Sequence, residues 1–74
     1  LKQWIMVEIF KTNVEINTDA NAIVSILQRQ FPDCKINFDL EDCDRILRIE
    51  GGRFNPKQII EHLNLQGYIC VPLE

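Results

Sequence analysis

An α+β fold of order βαββαβ is what this sequence predicts, and three observations predict it. Apolar residues recur at helical spacing in two stretches only, Ile23-Ile26-Leu27 and Ile59-Ile60-Leu63. Four other stretches are β-branched, aromatic or strictly alternating. Proline and glycine punctuate the joints between them. In 74 residues that leaves room for one domain with a modest core and no large enclosed site.

Trp4–Phe10, WIMVEIF, reads as the first strand, with Ile5, Val7 and Ile9 on one face and Trp4, Met6, Glu8 and Phe10 on the other. Lys11–Asn17 reads as a connection. Thr18 and Asp19 can cap a helix start, because a side-chain oxygen there accepts from a free first-turn N–H, and the helix is predicted over Asp19–Phe31. Ala22 and Ile23 fall on its apolar side, and Pro32 ends it by biasing the preceding residue out of helical geometry.

Cys34–Leu40, CKINFDL, alternates strictly and is the second strand. Residues 41–44 form a polar hairpin connection, Arg45–Glu50 returns as the third strand with Leu47 and Ile49 inward, and Gly51-Gly52 breaks it. Asn55-Pro56 places an N-cap residue before a proline at the first helical position, which starts the second helix, and Gly67 supplies its left-handed cap. Tyr68–Leu73 is the last strand, put at a sheet edge by Pro72. The order points to a ferredoxin-like sandwich: a four-stranded antiparallel sheet, order 4-1-3-2, with two helices on one face. That topology gathers the loop before the first helix, the 41–44 hairpin and the turn at Gly67 at one end.

Composition narrows the function classes. Eight basic against eleven acidic residues give a net charge of −3, which repels phosphate backbones and anionic lipid, so neither nucleic acid nor membrane is an expected partner. No run approaches the ~20 apolar residues of a membrane span, and a cytoplasmic location is expected. Cys34, Cys43 and Cys70 are odd in number and widely spaced, which suits free thiols rather than a disulfide framework. With one histidine, no Gly-x-Ser-x-Gly and no phosphate-binding glycine loop, the chain is not expected to be an enzyme.

The helix positions Ile23, Ile26 and Leu27, the Phe31-Pro32-Asp33 exit and the closing Gly67-Tyr68 together resemble the heavy-metal-associated domain of copper chaperones and metal-transporting ATPases. The resemblance implies a metal loop, Met-x-Cys-x-x-Cys, leading into the first helix. Its methionine falls here on Val14 and its two cysteines on Ile16 and Asp19, so neither thiolate ligand is present. No cofactor is therefore expected. The alternative is a copper or zinc ion held by displaced ligands, with Cys43 and His62 the candidates beside Glu15, Asp42 and Asp44. The leading reading is a non-catalytic contact or self-associating module, whose apolar patch on the uncovered sheet face comprises Trp4, Met6, Phe10, Ile69, Val71 and Leu73.

Overall fold

A computed structural model describes residues 5–73. Six elements follow one another: β1 (Met6–Thr12), α1 (Asn17–Gln30), β2 (Lys35–Asp39), β3 (Ile46–Gly51), α2 (Pro56–Leu65) and β4 (Cys70–Pro72). The strands form one antiparallel sheet in the order β2-β3-β1-β4, which read from the opposite edge is 4-1-3-2. The architecture is a small α+β one, an open four-stranded sheet with two helices, consistent with a ferredoxin-like fold.

The register decides which side chains the helices cover. Phe10 lies opposite Leu47, and Leu47 lies opposite Phe38 on the next strand. Side chains alternate along a strand, so this row fixes the parity of the whole sheet. Phe10, Thr12, Ile36, Leu47, Ile49 and Cys70 turn inward and are buried with Ala20, Ile23 and Leu27 of α1 and with Ile59 and Leu63 of α2. Val14, just beyond β1, joins the same core.

This arrangement corrects the sequence reading of β1. The strand runs two residues further than expected, through Lys11 and Thr12, and its inward set is Met6, Glu8, Phe10 and Thr12. Phe10 is 0% exposed and Met6 packs partly buried against the core, so neither belongs to an outward patch. Trp4 lies outside the described residues.

The helices show why their ends stand where they do. α1 begins with Ile16 in the capping position and no side-chain cap, so Thr18 and Asp19 sit inside the first turn rather than before it. Asp19 there places a negative charge near the positive end of the helix. Ala22, expected on the apolar side, is exposed, and Ala20 takes that place. At the exit, the Gln28 side chain donates to the carbonyls of Phe31 (3.2 Å) and Cys34 (2.7 Å), fastening the Pro32 turn to β2.

α2 is capped at both ends. Asn55 Oδ1 accepts from the Lys57 N–H at 3.0 Å, with Pro56 in the first turn where its missing donor costs nothing. Gly67, at φ 90°, turns the chain so that Tyr68 N–H reaches Leu63 O (2.9 Å) and Gly67 N–H reaches Asn64 O (3.0 Å), a Schellman closure.

Gly51 meets a different constraint. It is the last residue of β3, and a Cβ on it would stand 2.7 Å from Cys34 Sγ and 3.0 Å from Cys34 Cα. No side chain fits there without displacing β2's entry.

Candidate functional site

The end of the sheet that gathers the loops is tied together by hydrogen bonds. Thr12, nearly fully buried, donates its hydroxyl to Arg45 O at 2.6 Å and accepts from Val14 N–H at 3.2 Å, joining β1 to the hairpin and to the loop before α1. Asn13 Oδ1 accepts from Ile69 N–H at 2.8 Å, bringing in the segment that leads to β4. Burial, followed by the charge of Asp19, holds the Tyr68 phenol above the usual tyrosine range.

The positions matching the metal loop are inert toward soft metals. Val14 is packed in the core, Ile16 is 59% exposed, and Asp19 is a carboxylate in the first turn of α1. Two-sulfur Cu(I) coordination needs two deprotonated soft ligands on one short loop, and a branched hydrocarbon beside a carboxylate supplies none. The residues present do not fit the ion that the resemblance implies.

The displaced candidates part company. Cys43 is exposed at the hairpin tip, where its sulfur and one oxygen each from Asp42 and Asp44 lie within 4.8 Å of one another. Asp42 Oδ1 already accepts from Asp44 N–H at 2.8 Å, and Asp44 lies 3.5 Å from Lys11 Nζ. His62 stands outside this group of three, on α2, with its Nε2 3.2 Å from the Gln66 side-chain amide. Cys34 and Cys70 are buried; burial pushes the Cys70 thiol up to about 12 and, with the Asp33 charge, raises that of Cys34. Neither offers a thiolate at neutral pH.

The open face of the sheet is the other candidate. Its outward side chains form three cross-strand rows. Lys35, Glu50 and Val7 make the first, Asn37, Arg48 and Ile9 the second, and Asp39, Ile46, Lys11 and Val71 the third. Leu73, whose N–H donates to Ile9 O at 2.8 Å, extends the second row. Ile5, Val7, Ile69, Val71 and Leu73 are each between 44% and 64% exposed. Apolar side chains thus crowd the β1/β4 half, while β2 and β3 carry every charge of the three rows but Lys11.

Ile5, Val7 and Ile9 are the members that the sequence reading assigned to the core. A signal for the true parity exists in Phe10, Thr12 and Val14, which share one face once the strand is continued past Phe10, while Lys11 marks the opposite face as wet.

The edge beside this patch is poorly suited to strand addition. Because Leu73 directs its backbone toward β1, alternation directs Val71 the same way and turns Cys70 and Pro72 to the free edge. Pro72 has no N–H to offer there, so it removes a donor from the edge at no cost to the ladder.

No family model, curated protein or solved structure matches this chain. Among the described residues, fold and surface together define a small βαββαβ domain whose helix-free sheet face is half apolar. Among the described residues, no helix is long and apolar enough to cross a membrane.

Proposed function

We propose that this chain is a non-catalytic, ferredoxin-like contact module, related to the heavy-metal-associated domains but without their ligand loop, and that it binds protein through the open sheet face. The observation that carries the reading is the set Ile5, Val7, Val71 and Leu73, exposed side by side where no helix covers them. Apolar surface concentrated in this way gains free energy when a partner removes it from water, at roughly 25 cal/mol per Å². Loss of both thiolate positions with the scaffold intact supports contact rather than metal transfer.

The test compares the parent with Val71→Asp and with Asn21→Asp, a control on the exposed side of α1, as immobilised baits in a cell extract. Proteins retained by the parent and by the control are expected to be lost from Val71→Asp, with far-UV circular dichroism unchanged. Equal retention on all three would remove the open face from the account.

A second reading, metal handling, draws on one observation, the proximity of Asp42, Cys43 and Asp44 at the hairpin. Titration of the reduced protein with Cu(I) and Zn(II) against a competing chelator decides it. Affinity that persists unchanged in Cys43→Ser ends that reading.

A further inference from the structure

We propose that a second copy of this chain covers the open face, sheet against sheet, about a two-fold axis that crosses the strands at the row of Asn37, Arg48, Ile9 and Leu73. The proposal rests on the open face being the contact surface and names its occupant. The unpartnered edge is a poor alternative route, because Pro72 removes a donor from β4 and the opposite edge, β2, carries Lys35 and Asp39 on its outer face.

Area excludes one axis, and charge separates the other two. Four strands spaced ~4.8 Å apart and three rows spaced ~6.8 Å apart make a face of about 400 Å² in projection, so full overlap of two copies buries on the order of 1,000 Å² in total. That is the lower bound for a specific interface. An axis running along the strands through the β1/β4 half would overlap only the apolar part, roughly half as much, which falls in the range of adventitious contacts. An axis along the strands through the middle of the sheet overlaps as much but sets β2 against the partner's β4, so that Asp39 meets the partner's Val71 and Lys35 meets no anion.

Charge agrees with the crossing axis. Turning one copy over by this axis exchanges the first and third rows on every strand. Lys35 then faces the partner's Asp39, and Asp39 the partner's Lys35. Lys11 faces the partner's Val7 and Ile46 the partner's Glu50, each apolar side chain meeting a charge whose own cross-strand neighbour is apolar. Ile9 and Leu73, on the axis, meet their own copies. Arg48 also lies on the axis, but its charge is engaged by Glu50 of the same chain at 2.9 Å. The face holds three cations (Lys11, Lys35, Arg48) against two anions (Asp39, Glu50), a net of one positive charge on a chain whose total is −3. Self-association through it meets less repulsion than through any acidic surface.

Sedimentation equilibrium of the whole chain from about 10 µM to about 1 mM tests this, reading dissociation constants weaker than nanomolar as the small area implies. The expected result is a monomer–dimer equilibrium. Lys35→Glu, which sets two like charges against Asp39, is expected to weaken the dimer at least about fivefold, and Asp39→Lys to do the same. The double variant K35E/D39K is expected to return it to within about twofold of the parent. Lys35 and Asp39 lie ~13 Å apart on one strand, so such rescue cannot arise within a single copy. A parent that stays monomeric throughout, or a dimer indifferent to both single substitutions, overturns the arrangement. Loss of extract proteins from the Val71→Asp bait would still uphold the open face as a docking surface in that event, so the two ideas fail separately.

Discussion

The inward parity of β1 is open to a direct energetic test, because Phe10 and Val7 lie three residues apart on one strand and on opposite faces. Phe10 is fully buried against Leu47 and its neighbours, whereas Val7 is 46% exposed. Truncating Phe10 to alanine would remove about 3–5 kcal/mol, a large share of the ~4–11 kcal/mol that a chain of this length has to lose. Phe10→Leu is the more informative change, since it keeps an apolar side chain and costs about 1–1.5 kcal/mol. Val7→Thr keeps the branched shape and swaps a methyl for a hydroxyl. In water that hydroxyl is satisfied and the expected cost is below about 0.5 kcal/mol, whereas in a core it would be about 1–3 kcal/mol. Urea unfolding followed by circular dichroism, at micromolar protein to stay below self-association, reads both. With a slope near 1 kcal/mol/M, Phe10→Leu is expected to lower the midpoint by about 1 M and Val7→Thr by under half that. A larger drop for Val7→Thr than for Phe10→Leu would refute the register argument and the surface built on it.

Two further predictions follow from packing and burial. Gly51→Ala drives a methyl to within 2.7 Å of Cys34 Sγ and should cost about 1–3 kcal/mol in urea unfolding, while Gly52→Ala, with open space around it, should cost less than about 0.5. Equal effects would mean that β2 and β3 are not so closely apposed. Alkaline pH should destabilise the fold through Cys70, whose thiol titrates near 9.0 unfolded and at about 12 when buried. The native state keeps a proton that the unfolded chain releases, so this contribution is intact below pH 9 and falls as pH rises toward 12, by up to about 4 kcal/mol. Urea midpoints measured at pH 8 and pH 10.5 should diverge in the parent and less so in Cys70→Ala, and an equal decline in both would assign the alkaline loss elsewhere.

Local physics made much of the scaffold legible in the chain itself. Asn55-Pro56 and Gly67 carry their own conformational instructions, and the α2 ends fall where those residues put them. The alternation of CKINFDL shows in the burial of Ile36 between exposed Lys35 and Asn37. The start of α1 was less legible, because two capping residues follow one another and the register of the loop, not the cap chemistry, places them in the first turn.

The open face was the least legible part. WIMVEIF is apolar at nearly every position, so its composition is the same whichever face turns inward. Parity is settled by pairing: Phe10 sits across from Leu47, and that neighbour comes from a residue 37 positions away. The candidate ligands show the same division: the sequence already set Asp42, Cys43 and Asp44 side by side and His62 on the second helix, while folding decided that His62 stays outside that group. The sequence by itself determined the elements and their order, because these depend on residue identity and near neighbours. Which face of WIMVEIF meets water was settled by tertiary structure, because both faces of that stretch are apolar and differ in what pairs and packs against them.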